Sequence, residues 1–166
     1  MQAVMLSIRP KWCRKIATGE KTVEVRKTVP KLGTPYKCYI YCTKAKEPFM
    51  LLVDTGSYQS GTTSIATSGG KVIGEFTCDQ ICEVSAAMPW IGYSAEWNTC
   101  LTDEEIVKYA GYEKPVYYWH ISNLKIYGKP RELCEFKHWR DDGPRSWLEP
   151  LARAPQSWCY VEELLA

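Results

Sequence analysis

Short apolar segments that alternate with polar residues recur along the chain and outnumber its helical segments. AVMLSI is a short apolar segment typical of a largely buried strand, and KTVEVRK and KCYIYC have the period of two that is typical of β-strands. Two segments, PKWCRKIATG and CLTDEEIVKYAGY, have the caps and spacing of helices. No repeat or linker interrupts the 166 residues, which are enough for one core. The pattern predicts a single α+β domain, residues 1–166, built on a small, mostly antiparallel β-barrel with peripheral helices.

The second half of the chain contains further predicted strands and two predicted loops. PVYYWHISNLKIY is predicted to be the longest strand and SWCYVEEL the last one. Twelve of the sixteen residues in 55–70 are Ser, Thr or Gly, and none is charged, which predicts a flexible loop. RDDGPRSWLEP contains Asp-Asp-Gly-Pro and is also predicted to be a loop.

The eight cysteines favour reduced thiols in the core over a metal site or disulfides. The nearest pairs, Cys38/Cys42 and Cys78/Cys82, are wider than a zinc knuckle and lie in apolar alternating segments. His120 follows a tryptophan in a predicted strand, which favours a hydrogen-bonded structural histidine. We therefore predict no metal and no cofactor.

The distribution of apolar and charged residues limits the compartment and the partners. No run of about 18 apolar residues exists, and the N-terminal charges follow the first apolar stretch, so a cytoplasmic protein without a membrane segment is expected. Residues 1–46 contain eleven lysines and arginines against two glutamates, a net charge of +9. Such a basic third fits a phosphate-bearing partner or a solvated face balanced by acids elsewhere.

The segment GEKTVEVR combines this basic charge with a helix exit and a strand. Val23 and Val25 face one side of the predicted strand, and Glu24 and Arg26 face the other. Lys21 lies at the junction between helix and strand, from which its ammonium group reaches either side. The segment matches the pattern GxKxxxxR, which is weakly specific by itself.

With these features the chain resembles the ASCH domain family of the PUA-like superfamily. The similar segments are LSIRPKWCRKIATGEKTVEVRK, GKVIGEFTC, the capped helix followed by YYWHISNLKIY, KPRELCEF and APQSWCYVE. The resemblance implies a small β-barrel with flanking helices and a cleft whose floor includes Lys21 and Arg26. The superfamily is associated with RNA and modified bases. One branch of the family hydrolyses acetylcytidine nucleosides, and another is described as a ribonuclease.

The chain departs from the hydrolase branch at Glu24, where that branch has a threonine. A glutamate cannot act as the hydroxyl nucleophile, and it suits a general base or an ion pair with Lys21 or Arg26. Thr22 carries a hydroxyl on the same face of the strand. The branch's catalytic glutamate corresponds to Glu104 or Glu105, and a capping box already accounts for the second.

A module that binds RNA, a nucleotide or a modified nucleoside is the favoured function. In it Arg9, Lys21, Arg26 and Lys27 contact phosphates, while Trp12 and a tyrosine of the barrel stack on a base. The first alternative is a hydrolase, either an amidohydrolase or a ribonuclease. In that alternative Lys21 activates water or stabilises an oxyanion, and Glu24 is the general base.

A scaffold for protein interactions is the second alternative. The far wall of the cleft is assigned to side chains near the end of the chain, which also fit a core strand; they are Ser157, Trp158 and Tyr160.

Overall fold

A computed structural model describes residues 1–46, 49–53, 63–67, 69–89 and 93–164, the side chains of 49–53 and 63–67 excepted. The helices are α1 (Pro10–Ala17) and α2 (Asp103–Ala110), and Leu133–Glu135 form a 3-10 turn. The strands are β1 (Gln2–Ile8), β2 (Val23–Arg26), β3 (Tyr36–Cys42), β4 (Phe49–Val53), β5 (Thr63–Thr67), β6 (Lys71–Cys78), β7 (Ile81–Ser85), β8 (Pro115–His120), β9 (Ser122–Arg131), β10 (Lys137–Asp141), β11 (Ser146–Pro150) and β12 (Trp158–Glu162).

The described strands form two main sheets and two hairpins. The larger sheet has the order β12-β1-β3-β6-β9, and the smaller has the order β2-β8-β7. Strands β4 and β5 form one hairpin, and β10 and β11 form the other. Only β1 and β3 run parallel among these pairs. The mostly antiparallel α+β class is thus confirmed. The four sheets are open in this pairing, so closure into a barrel is not confirmed.

The main core lies between the two large sheets. Alternate residues of β3, among them Cys38 and Ile40, face this core together with Trp119 of β8, and α1 covers it with Cys13 and Ile16. On the outer face of the smaller sheet, α2 packs over the valines of β2 and β8; the residues of that cluster include Val23, Val25, Ile106, Val116 and Tyr118. Because both faces of β2 are covered, all four of its residues are buried.

The segment PVYYWHISNLKIY forms two strands, and the prediction of one long strand is wrong. Strand β8 pairs with β2 and β7, whereas β9 pairs with β6 of the other sheet. The amide of Ile121 donates to the carbonyl of Thr22, which holds the chain at the bend between them. The segment changes sheets at this residue, a non-local event that depends on pairing with two different sheets.

The segment RDDGPRSWLEP contributes to a hairpin, and the prediction of a loop is wrong. Strands β10 and β11 pair in register from Lys137/Pro150 to Asp141/Ser146. The amide of Gly143 donates to the Asp141 carboxylate, and the amide of Arg145 donates to the Asp142 carboxylate. These bonds close a short turn around Gly143 and Pro144, so the residues on either side of it extend as strands.

The Ser/Thr/Gly-rich segment 55–70 is only partly described. Residues 55–62 and 68 lie outside the described residues, and the flexible loop remains a prediction there. Thr63–Thr67 form β5, which pairs with β4, so the loop prediction is wrong for these five residues. Two threonines and an isoleucine give this stretch the β-branched side chains that suit a strand. No helix in the described part of the chain has the length and apolarity needed to cross a membrane.

Candidate functional site

The junction between α1 and β2 places the basic motif at the edge of the gap between the sheets. Helix α1 ends before Gly19, whose φ of 76° is a left-handed conformation that favours glycine. The amide of Lys21 then donates to the carbonyl of Lys15. In the pairing of β2 with β8, Glu24 lies opposite Trp119. Since Trp119 faces the main core, the side chains of Glu24 and Arg26 also point between the sheets, as the alternation predicts.

A cavity of about 400 Å³ lies beside the side chains of Glu24 and Arg26. It is bounded by the end of β1, the start of α1, β2, α2 and the segment before β12. The residues that line it are Ser7, Ile8, Arg9, Trp12, Lys21, Glu24, Val25, Arg26, Thr43, Leu101, Tyr109, Gln156 and Ser157. Its volume falls within the range of small-molecule sites in proteins.

Three buried charges form the floor of the cavity. The Glu24 Oε1 atom is 3.0 Å from Nη2 of Arg26, and its Oε2 atom is 3.6 Å from Nζ of Lys21. The exposed fractions are 2% for Lys21, 7% for Glu24 and 6% for Arg26. The predicted ion pair of Glu24 is therefore present with both cations.

Arg26 uses most of its donors on the protein itself. Its Nη2 atom donates to the carbonyl of Ser7 at 2.9 Å, and its Nη1 atom donates to the carbonyl and the hydroxyl of Ser157 at 3.3 and 3.2 Å. Together with the Glu24 contact, these bonds tie β2 to β1 and to the segment before β12. Arg26 therefore holds the walls of the cavity together.

Lys21 is buried in surroundings that disfavour its charge. Its ammonium group donates to the carbonyl of Thr99 at 2.7 Å and lies 5.4 Å from the centre of the Trp12 ring. Burial lowers the pKa of Lys21 below its ordinary value, and the nearby Glu24 carboxylate opposes part of this effect. The neutral amine is consequently more accessible here than on an exposed lysine.

Two buried polar atoms of the floor lack hydrogen-bond partners within the described part of the chain. They are Oε2 of Glu24, an acceptor, and Nε of Arg26, a donor. A buried polar group without a partner costs roughly 1–3 kcal/mol, so such groups are uncommon in a finished interior. Both residues line the cavity, where a bound molecule can supply the missing partners.

The other predicted site residues separate into those that line the cavity and one that does not. Arg9 and Trp12 line it, Arg9 being exposed at its mouth. Lys27 is exposed and places its ammonium group 4.8 Å from the centre of the Tyr109 ring. Tyr109, the tyrosine that lines the cavity, belongs to α2 and not to a barrel strand. The sequence analysis assigned the stacking tyrosine to the barrel, so it missed this helical one.

The C-terminal wall is formed by Ser157 and Gln156. Trp158 packs against Trp119 and donates to the hydroxyl of Thr28, and the Tyr160 hydroxyl accepts from the amide of Lys31. These two aromatic residues therefore support the segment after β2, as the core interpretation predicts.

The residues considered as substitutes for the hydrolase-branch catalytic groups do not line the cavity. The Thr22 hydroxyl accepts from the amide of Asn98, and Glu105 forms the predicted capping box with Thr102. Neither these residues nor Glu104 are among the lining residues. No hydroxyl group in the described chain hydrogen-bonds to Lys21, whose side-chain acceptor is a carbonyl.

His120 and the cysteines lie outside the site. His120 binds the Asp79 carboxylate through Nδ1 at 2.7 Å and stacks on Trp97, which agrees with its structural interpretation. Cys13, Cys38, Cys42 and Cys78 are buried, while Cys134 is exposed. Within the described residues no three His, Cys, Asp or Glu side chains are grouped as a metal site requires.

Comparison with solved structures identifies the fold. A crystal structure of ASCH from Zymomonas mobilis superimposes with a TM-score of 0.63 and 17% identity, over 97% of this chain and 88% of the other. A point variant of that protein gives 0.62 and 16%, over 97% and 91%. No family model and no curated protein matches the sequence. The chain therefore has an ASCH fold.

Proposed function

We propose that the cavity binds the base of a nucleoside or nucleotide, either free or within RNA. The observation that carries this proposal is the pair of buried floor atoms without a hydrogen-bond partner among the described residues. They are Oε2 of Glu24, which has its ion pair with Lys21 at 3.6 Å, and Nε of Arg26. The edge of a nucleobase presents both donors and acceptors, so a base can supply a donor for the first atom and an acceptor for the second. The ASCH fold is consistent with this class of ligand.

The walls of the cavity support the same ligand. Trp12 and Tyr109 provide aromatic surface, and stacking on aromatic side chains is the usual way in which proteins hold unpaired bases. Lys11 places its ammonium group 4.4 Å from the Trp12 ring centre and is exposed, so it can move aside when a base stacks there. Cation–π contacts at exposed positions contribute only about 0.5–1 kcal/mol.

Isothermal titration calorimetry with the four ribonucleosides and a short single-stranded RNA tests the proposal. Glu24→Gln keeps the shape of the side chain but removes its negative charge and one acceptor oxygen. We expect it to weaken binding about tenfold or more. Glu149→Gln is the matched control, because Glu149 also pairs with an arginine, Arg140, but lies on the hairpin outside the cavity. Absence of binding by every ligand, or equal affinity in Glu24→Gln, contradicts the proposal.

Hydrolysis of a modified nucleoside is a second candidate, favoured by the state of Lys21. An amine whose pKa is lowered by burial is neutral in a larger fraction of molecules than an exposed lysine, and only the neutral amine can accept a proton from water. With no hydroxyl group bound to Lys21 in the described chain, water is the nucleophile in this candidate. Its oxygen attacks the acyl carbon while one of its protons passes to Lys21, and Lys21 then gives this proton to the nitrogen of the base as the carbon–nitrogen bond breaks, which releases acetate and the free amine.

Product analysis separates the two candidates. The wild type and its variants are incubated with acetylcytidine or with RNA, and chromatography measures released acetate or shortened RNA. Turnover that is lost in Lys21→Met and kept in Lys37→Met supports the enzyme. Lys37 is a suitable control because it also forms ion pairs with carboxylates, those of Glu75 and Glu163, but does not line the cavity. Binding without product contradicts hydrolysis and leaves the binding module.

A further inference from the structure

We infer that the ligand enters base first and carries a phosphate group that binds Arg9 at the mouth of the cavity. This inference rests on the proposed function and assigns separate roles to the three lining cations. The phosphate belongs either to a free mononucleotide or to the 5′ end of an RNA chain.

The two cations of the floor are already committed to protein groups. The Nη atoms of Arg26 are shared among Glu24, Ser7 and Ser157. The ammonium group of Lys21 is bound to the carbonyl of Thr99 and lies beside Glu24. A phosphate group at the floor would displace these contacts and meet the buried Glu24 carboxylate. Like-charge repulsion at a buried position therefore excludes the phosphate from the deep end.

Arg9 is the lining cation whose charge remains available. Within the described part of the chain its guanidinium group has no hydrogen-bond or ion-pair partner. Its backbone is fixed, because its carbonyl accepts hydrogen bonds from the amides of Trp12 and Cys13 at the start of α1. A guanidinium group binds a phosphate through two parallel hydrogen bonds, and here it can do so without breaking a protein contact.

The surroundings of Arg9 favour an anion at the same place. The first turn of α1 contains no acidic residue, and Lys11 and Arg14 are exposed on the same helix. Their summed field attracts an anionic group toward the mouth. The neutral hydrogen-bonding groups of the ligand therefore face the floor, and its negative charge faces the entrance. This arrangement fixes the orientation of a bound nucleotide.

The test compares ligands that differ only in the phosphate group. Calorimetry measures adenosine, uridine, cytidine and guanosine together with their 5′-monophosphates, on the wild type, Arg9→Ala and Arg14→Ala. We expect the monophosphates to bind about tenfold more tightly than the nucleosides. In Arg9→Ala we expect this advantage to fall below about twofold. Arg14 is an exposed arginine of α1 that does not line the cavity, so Arg14→Ala should keep most of the advantage.

The outcomes separate the inference from the proposed function. Equal affinity for nucleosides and monophosphates overturns the phosphate site and leaves base binding intact. A phosphate advantage that persists in Arg9→Ala also overturns it. Failure of every ligand to bind overturns the proposed function itself.

A second comparison identifies the source of the phosphate. A trinucleotide with a 5′-phosphate is titrated against the same trinucleotide with a 5′-hydroxyl group. A phosphate advantage that depends on Arg9 in both the trinucleotide and the mononucleotide supports an RNA end. The same advantage in the mononucleotide alone supports a free nucleotide.

Discussion

Arg26 donates two hydrogen bonds to Ser157, one to its carbonyl at 3.3 Å and one to its hydroxyl at 3.2 Å. These residues are 131 positions apart. A third bond, from the same guanidinium group to the carbonyl of Ser7, joins β1 to this contact. One side chain thus fixes the relative positions of three segments that surround the cavity.

Replacement of Arg26 by lysine is expected to destabilise the protein by about 2 kcal/mol, because a single ammonium group cannot reach acceptors on both segments. Urea unfolding followed by circular dichroism measures the change. Arg140→Lys is the control, since Arg140 is exposed and its ion-pair partner among the described residues is Glu149 alone, and its expected cost is below about 1 kcal/mol. Equal costs for the two variants would contradict the assigned role.

Removal of the Glu24 carboxylate is expected to lower the free energy of unfolding more than Arg26→Lys does. Glu24→Ala leaves Lys21 and Arg26 buried without a compensating anion, for which roughly 3–5 kcal/mol is the usual loss. The double variant Glu24→Ala/Lys21→Met should recover part of this stability, because it removes one of the uncompensated cations. Additive losses in urea unfolding would show that the two residues are not coupled.

The pKa of Lys21 should be visible by NMR of its side-chain nitrogen. Because burial lowers this pKa, the Lys21 signal is expected to titrate below about 10.4, the ordinary value of a lysine in a model peptide. Glu24→Gln removes an attraction that favours the charged form and should lower the value further.

The titration also has a consequence for stability. Between the lowered pKa and about 10.4 the unfolded chain binds more protons at Lys21, so this group makes stability rise with pH in that window. A Lys21 signal that titrates at or above about 10.4 contradicts both expectations.

Gly74 provides a test of backbone packing in the larger sheet. A Cβ atom at this position would lie 2.5 Å from the carbonyl oxygen of Lys125 on β9, so a strand must shift to admit it. We expect Gly74→Ala to lower the free energy of unfolding by about 1–3 kcal/mol. Gly128→Ala on β9 meets no atom within 4 Å and should change it by less than about 0.5 kcal/mol. Similar values for both variants would contradict the close approach.

The elements with a local pattern could be predicted from the sequence. Gly19 and the Thr102/Glu105 box mark helix ends through backbone chemistry close to them, and β2 alternates as expected. The bend at Ile121 and the β10–β11 hairpin could not be predicted, because each depends on pairing with distant strands or on side chains that shorten a turn.

The candidate site was predictable at its floor and less so at its walls. Lys21, Glu24 and Arg26 lie within six residues, so one strand and one junction determine their grouping. Thr99 reaches the same place only through the tertiary fold, and of the three residues assigned to the far wall only Ser157 lines the cavity. Lys27 directly follows Arg26 but lies beyond the end of β2, so adjacency in sequence does not bring it into the cavity.

The cavity draws its lining from residues between Ser7 and Ser157, and it therefore exists only while the whole domain is folded. A molecule that occupies it must stabilise the native state as a unit, by about 2.7 kcal/mol at a hundred times its dissociation constant. A rise in melting temperature thus reports occupancy without a label, a product or knowledge of the chemistry. Thermal melting across a library of metabolites is consequently an unbiased route to the ligand.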